Sequence, residues 1–138
     1  SLMETGRAGE AETYVRQALT IQREAETLDI QGQVRREAGD AHGAEAAWLE
    51  ALELDPRYVP AMTNLGTLRL GRGQTSEALE LFRRAVTCDS TSSEAHYGLG
   101  LALERTGMGE QAQKHLAEAE RLRLQFVRQR VASETGSQ

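Results

Sequence analysis

Three histidines, one cysteine and many carboxylates are the side chains here that chemistry would draw on. The histidines are His42, His96 and His115, and no two of them stand at metal-ligand spacing. Cys88 is the single cysteine, so neither an internal disulfide nor a cysteine-based metal centre is available. That suits a reducing compartment, and a cytoplasmic location is the expectation. Acid pairs are plentiful, but they recur with the spacing of solvated helix faces. No glycine-rich phosphate loop follows a strand, because no strand pattern exists. The expectation is a chain without catalytic residues, metal or cofactor.

The totals narrow the classes further. In 138 residues, 39% are apolar and only 4% aromatic. Ala and Gly supply much of the apolar bulk, which suits closely approaching helices. The net charge of −5 is unevenly spread: Arg121, Arg123, Arg128 and Arg130 place +4 in residues 121–130, leaving −9 elsewhere. A mildly acidic body with one basic end lacks the broad basic face of a nucleic-acid binder. No apolar run approaches a membrane span, and no signal peptide is visible. Ser1-Leu2 ahead of Met3 reads as an expression remnant.

What must position any site is a repeat of 34 residues. Gly32, Gly66 and Gly100 keep that spacing, as do Gly39, Gly73 and Gly107. So do Ala44, Ala78 and Ala112; Trp48, Phe82 and Leu116; and Ala51, Ala85 and Ala119. Five columns in one register define a helix–turn–helix unit repeated three times. Ala78, Leu79, Phe82, Ala85 and Val86 fall on one helix face. Gly39, Gly73 and Gly107 stand where a first helix ends and a left-handed residue is needed. Asp55-Pro56 closes a second helix, and Pro60 opens the next. Thr75 with Glu77 reads as an N-cap and first-turn acid, and Thr91 with Glu94 as a capping box. Helices are expected at about 26–38, 42–54, 60–72, 76–88, 94–106 and 110–131.

In this frame Trp48 and Phe82 occupy core columns. His96 shares the large-residue column of Met62 and is expected to pack half-buried. Cys88 follows Leu54 by 34 residues and reads as a buried, inert thiol.

The columns resemble the tetratricopeptide repeat (TPR) family. The second unit reads Met62, Leu65-Gly66, Arg69, Ala78, Phe82, Ala85, Ser90. The first reads Leu28, Gln31-Gly32, Arg35, Ala44, Trp48, Ala51, Pro56, and the third His96, Leu99-Gly100, Leu103, Ala112, Leu116, Ala119, Leu124. Ala51-Leu52-Glu53-Leu54-Asp55-Pro56 matches the usual repeat ending. Departures are Gln31 in place of Leu and Arg35, Arg69 and Leu103 in the first-helix aromatic column. The resemblance places repeats at about 25–58, 59–92 and 93–126. It implies an all-α fold, a right-handed superhelix of antiparallel helix pairs, in one domain over 1–138. Residues 1–9 are expected as a tag or disordered start and 10–24 as an N-terminal half-repeat helix. No Pro or Gly lies between Glu10 and Gln31, so that helix is also free to run on into the next. Past the repeats, Leu116, Ala119, Leu122, Phe126 and Val127 continue an apolar face as an extended C-terminal capping helix, with 127–138 its end and a disordered tail.

The resemblance also implies a concave groove lined by the first helix of each unit, which takes peptide or helical segments of other proteins. The matching columns hold Asp29, Ile30, Gln33 and Arg36; Thr63, Asn64, Thr67 and Leu70; and Tyr97, Leu101 and Glu104. One subclass clamps acidic chaperone tails with Lys, Asn and Arg. Here those columns hold Asp29, Gln33, Asn64, Glu94 and Gly98, and only Asn64 agrees. The expectation is a protein-interaction adaptor for a neutral-to-basic or amphipathic segment, not a chaperone-tail binder. The alternatives are a self-assembly module acting through its terminal helices, giving a homo-oligomer, and a regulatory domain cut from a larger protein.

Overall fold

The computed structural model describes residues 2–136, with side chains for residues 6–136. Among them are six α-helices and no strand: α1 Leu2–Glu37, α2 Ala41–Leu54, α3 Val59–Gly71, α4 Thr75–Cys88, α5 Ser93–Arg105 and α6 Gly109–Gly136. The four inner helices lie within about one residue of the bounds read from the sequence. The chain divides into two compact units, residues 1–61 and 62–138, and each is described by itself.

The inner helix ends are set by the three spaced glycines. Gly39, Gly73 and Gly107 have φ of 85°, 81° and 79°, a region that costs other L-residues roughly 1–2 kcal/mol. Each closes a C-terminal turn of the same kind. At the first, the Gly39 N–H donates to the Arg36 carbonyl at 3.0 Å and the Asp40 N–H to the Arg35 carbonyl at 2.8 Å. These paired bonds satisfy carbonyls that the ending helix leaves over. Asp40 then caps α2, its carboxylate accepting from the Gly43 N–H at 2.9 Å.

In the first unit α1 packs on α2. Ala25, Asp29 and Gly32 on α1 and Ala44, Ala47, Trp48 and Ala51 on α2 are buried. A methyl at Gly32 would overlap the Trp48 indole, so the glycine creates the slot in which the only Trp lies flat. The indole N–H donates to the Asp29 carbonyl at 3.3 Å, and Arg36 covers the ring at 5.5 Å. The second unit repeats the device. An added Cβ at Gly66 would come within 2.9 Å of the Phe82 ring, and one at Gly100 within 2.7 Å of Leu116. Phe82 is the centre of a cluster with Leu70, Ala78, Leu99, Ala102, Leu103 and Ala112.

Several expectations change. α1 is one helix from Leu2 to Glu37, rather than a helix at 10–24 followed by another at 26–38, and residues 2–9 belong to it instead of forming a disordered start. Gly6 and Gly9 weaken a helix by only about 1 kcal/mol each, and no Pro interrupts it. α6 likewise reaches Gly136, beyond the expected end at 131. Residues 137 and 138 lie outside the described residues. Two caps differ by one position. Gln74, not Thr75, is the α4 N-cap, and its side chain makes no capping hydrogen bond. Ser92, not Thr91, caps α5, accepting from the Ala95 N–H at 3.2 Å. Thr91 is taken instead by Asp89, whose Oδ1 accepts from its N–H and its hydroxyl. Cys88 is half-buried rather than the buried thiol expected, because Leu54, which sets its column, is itself 37% exposed.

Trp48→Ala is expected to destabilise the first unit by about 3–5 kcal/mol, the range for emptying a packed aromatic site. Gly73→Ala should cost about 1–2 kcal/mol through its left-handed backbone. Chemical denaturation followed by helical circular dichroism checks both. An unchanged midpoint for Trp48→Ala would break the assigned register.

Candidate functional site

Six of the groove residues expected from the sequence come together in the second unit. Thr63, Asn64, Thr67 and Leu70 on α3 and Tyr97 and Leu101 on α5 line one cleft of about 260 Å³, with Glu94, Gly98 and Phe82. The two helices present these side chains at one-turn spacing (63, 67, 70 and 94, 97/98, 101), which aligns them along one face of each helix. Phe82 and the buried Leu70 form the apolar floor, while Thr67, Glu94 and Tyr97 are exposed at the mouth. Tyr97 is 56% exposed, an aromatic ring held out by a rigid helix. A Cβ at Gly98 would overlap the Phe82 ring, so this column has no room for a longer side chain while Phe82 keeps its place. Thr67 Oγ1 donates to the Thr63 carbonyl at 2.8 Å. Arg105 donates to the Leu70 carbonyl at 2.6 Å, tying the end of α5 to the end of α3. Glu104 is exposed but does not line this cleft.

The first unit holds the other four. Ile30 and Arg36 are exposed and Gln33 is half-buried, but Asp29 is only 5% exposed. Gln33 Nε2 donates to Asp29 Oδ2 at 3.1 Å. Asp29 also faces Tyr58, whose hydroxyl is pushed up to about 12 by burial first and then by Asp29, Glu26 and Asp55. Asp29 is therefore a carboxylate engaged within the unit, and Arg36 spends its guanidinium over Trp48.

One arrangement escaped the sequence reading. His96 on α5 and His115 on α6 bring their Nδ1 atoms to 3.0 Å, with the rings stacked at 5.3 Å. His96 Nε2 lies 2.9 Å from the Ser90 carbonyl. That carbonyl only accepts, so His96 is protonated at Nε2 and offers Nδ1 as acceptor, and His115 donates from its own Nδ1. A residue spacing of 19 hides the pair from any single-helix search. The repeat held the signal, because His96 and His115 stand 34 residues after Met62 and Leu81, both buried.

Among the described residues no group of three or more His, Cys, Asp or Glu is placed to hold a metal ion. No helix among them is long and apolar enough to cross a membrane.

Two family profiles described as Tetratricopeptide repeat match residues 31–93 and 69–125, together more than half of the chain. Human tetratricopeptide repeat protein 7A is 34% identical over 85 residues, 62% of this chain and 10% of that protein; this chain thus spans about a tenth of that relative's length. A mutant of the O-GlcNAc transferase of Thermobaculum terrenum superposes with a TM-score of 0.70 at 29% identity, covering 75% of this chain and 20% of that one. The second TPR of Spaghetti (RPAP3), bound to the HSP90 peptide SRMEEVD, superposes with a TM-score of 0.73 at 18% identity, covering 83% of this chain and 97% of that one.

The histidine pair makes stability depend on pH. Burial first, then the charge of His96 and Arg83, holds the His115 imidazole below its ordinary value of 6.5, against an opposing pull from Glu118. A lowered folded pKa means that the unfolded chain takes up the proton first as pH falls. The stabilisation is therefore complete above about pH 6.5 and lost as pH drops through the folded value. Thermal melts from pH 8 to about pH 5 should show the midpoint falling at the acid end, with a shallower fall in His115→Gln. Parallel curves for the two proteins would contradict this origin.

Proposed function

Because this chain belongs to the tetratricopeptide repeat family, we propose that it is a non-catalytic interaction scaffold that receives a partner protein's segment in its second unit. The observation that carries this reading is the cleft between α3 and α5 lined by Thr63, Asn64, Thr67, Leu70, Tyr97 and Leu101 over Phe82. A cleft with an apolar floor, small polar walls and one projecting aromatic suits an extended or helical segment with an apolar anchor. Tyr97 and Leu101 supply contact area on a rigid helix, with little ordering left to do on binding. Hydroxyl and amide groups of Thr67 and Asn64 are of the kind that follow a peptide backbone. Glu94 at the mouth sets the sign, favouring a neutral-to-basic segment and speeding its approach.

The same residues argue against an acidic tail. Clamping a terminal carboxylate takes cations that converge on it. The matching columns here present Glu94, the engaged Asp29 and Gly98, and Gly98 abuts Phe82. The peptide bound by the Spaghetti repeat, SRMEEVD, would bring its own carboxylates against Glu94.

The experiment is affinity capture with wild-type bait beside a Tyr97→Ala/Leu101→Ala double variant, followed by titration calorimetry of the captured partner's segment. Removing the aromatic anchor should weaken that segment at least about tenfold, the usual effect of a buried interface anchor. SRMEEVD should show no saturable binding at physiological salt. Equal capture by both baits would move the contact to another face, and tight SRMEEVD binding would reverse the charge argument.

A further inference from the structure

Two histidines that the cleft does not use meet across α5 and α6, and the repeat records what stands there in the other units. One period before His96 and His115 the same columns hold Met62 and Leu81, which are 0% and 8% exposed. Two periods before, they hold Leu28 and Ala47. Both earlier units therefore fill these positions with side chains that no change of pH can charge. The third unit alone sets two titratable rings there. Its large column is lighter as well: Leu116 faces Gly100, where Trp48 faces Gly32 and Phe82 faces Gly66. A smaller side chain at that level leaves more of the α5–α6 contact to the ring pair.

The contact is a hydrogen bond with one proton in it. His96 Nε2 donates to the Ser90 carbonyl at 2.9 Å, so His96 Nδ1 accepts from His115 Nδ1 at 3.0 Å. His115 Nε2 then holds the remaining lone pair. A first proton enters there and leaves the bond in place. A second has only His96 Nδ1 to take, the atom that accepts the bond. Two N–H groups would then face each other at bonding distance with a positive charge on each ring, and the rings must part. The surroundings do little to oppose this. Arg83 on α4 adds a further positive charge beside His115. Glu118, one turn on along α6, is the carboxylate facing both rings, but both of its oxygens accept from Arg121.

We propose that His96 and His115 form a proton-operated latch: acid frees α6 from α5, while the helix pairs of the earlier units, apolar at the same columns, stay closed. The device lies in the substitution of two columns and leaves the turn at Gly107 intact as the hinge on which α6 swings.

Hydrogen exchange of the full chain, read by NMR as protection relative to free-chain rates, tests the latch. From pH 8 to about pH 5 the protection of Ala112, Leu116 and Ala119 on α6 should fall about tenfold or more, since each proton that opening admits is worth about tenfold per pH unit below about 6.5. Ala78, Phe82 and Ala85 on α4 should still be protected when α6 has lost its protection. His96→Met/His115→Leu installs the side chains of the second unit's columns, and it should hold α6 protection level over the same range. Circular dichroism of that variant at pH 8 confirms that it is folded. Unchanged α6 protection in the wild type would overturn the latch, and so would an equal fall in the double variant. Loss of α4 and α6 protection together would overturn it too, because that is acid unfolding of the unit and not release of one helix.

Discussion

The glycine that faces a large side chain sixteen residues later is the contact on which each helix pair depends. Gly32 against Trp48, Gly66 against Phe82 and Gly100 against Leu116 are the same event three times. Removing a Cβ lets one helix approach until the opposing ring lies on its backbone. A helix interior loses roughly 1 kcal/mol for such a glycine, while burying an aromatic side chain returns about 1.5–3 kcal/mol. Size is therefore gathered at a few points, and alanines share the remaining buried contact with leucines such as Leu65, Leu99 and Leu103.

This economy also decides what the surface can do. Because Phe82 is held from both sides by Gly66 and Gly98, its edge is fixed as the floor of the cleft between α3 and α5. Thr67 and Tyr97 stand exposed above it, where a change of side chain leaves that floor in place. Asp29 shows the converse. It stands in a groove column, yet its carbonyl holds the Trp48 indole and its carboxylate holds Gln33. In the first unit that column has been drawn into the structure.

The inner helices were legible in the sequence because both of their determinants are written there. The left-handed turns need glycine at Gly39, Gly73 and Gly107, and the 34-residue columns fix which faces meet. The cleft residues of the second unit were legible for the same reason, since first-helix columns share a face. What was not legible depends on competition between neighbours. Thr91 and Ser92 are both competent caps, and the choice fell to Ser92 because Asp89 engages Thr91. The length of α1 turned on the absence of a breaker rather than on any positive signal. The Asp29–Trp48 contact and the His96–His115 pair each join residues 19 apart, which only the repeat's own columns foreshadow.

Amide chemical-shift mapping tests the central claim, that the second unit holds a partner's segment between α3 and α5, most directly. The ligand is a basic amphipathic peptide titrated into the labelled full chain. The account predicts saturable shifts confined to Thr63, Asn64, Thr67, Leu70, Tyr97, Leu101 and their immediate neighbours. Saturable shifts located instead on the outer faces of α4 and α6, with those six residues unmoved, would contradict it.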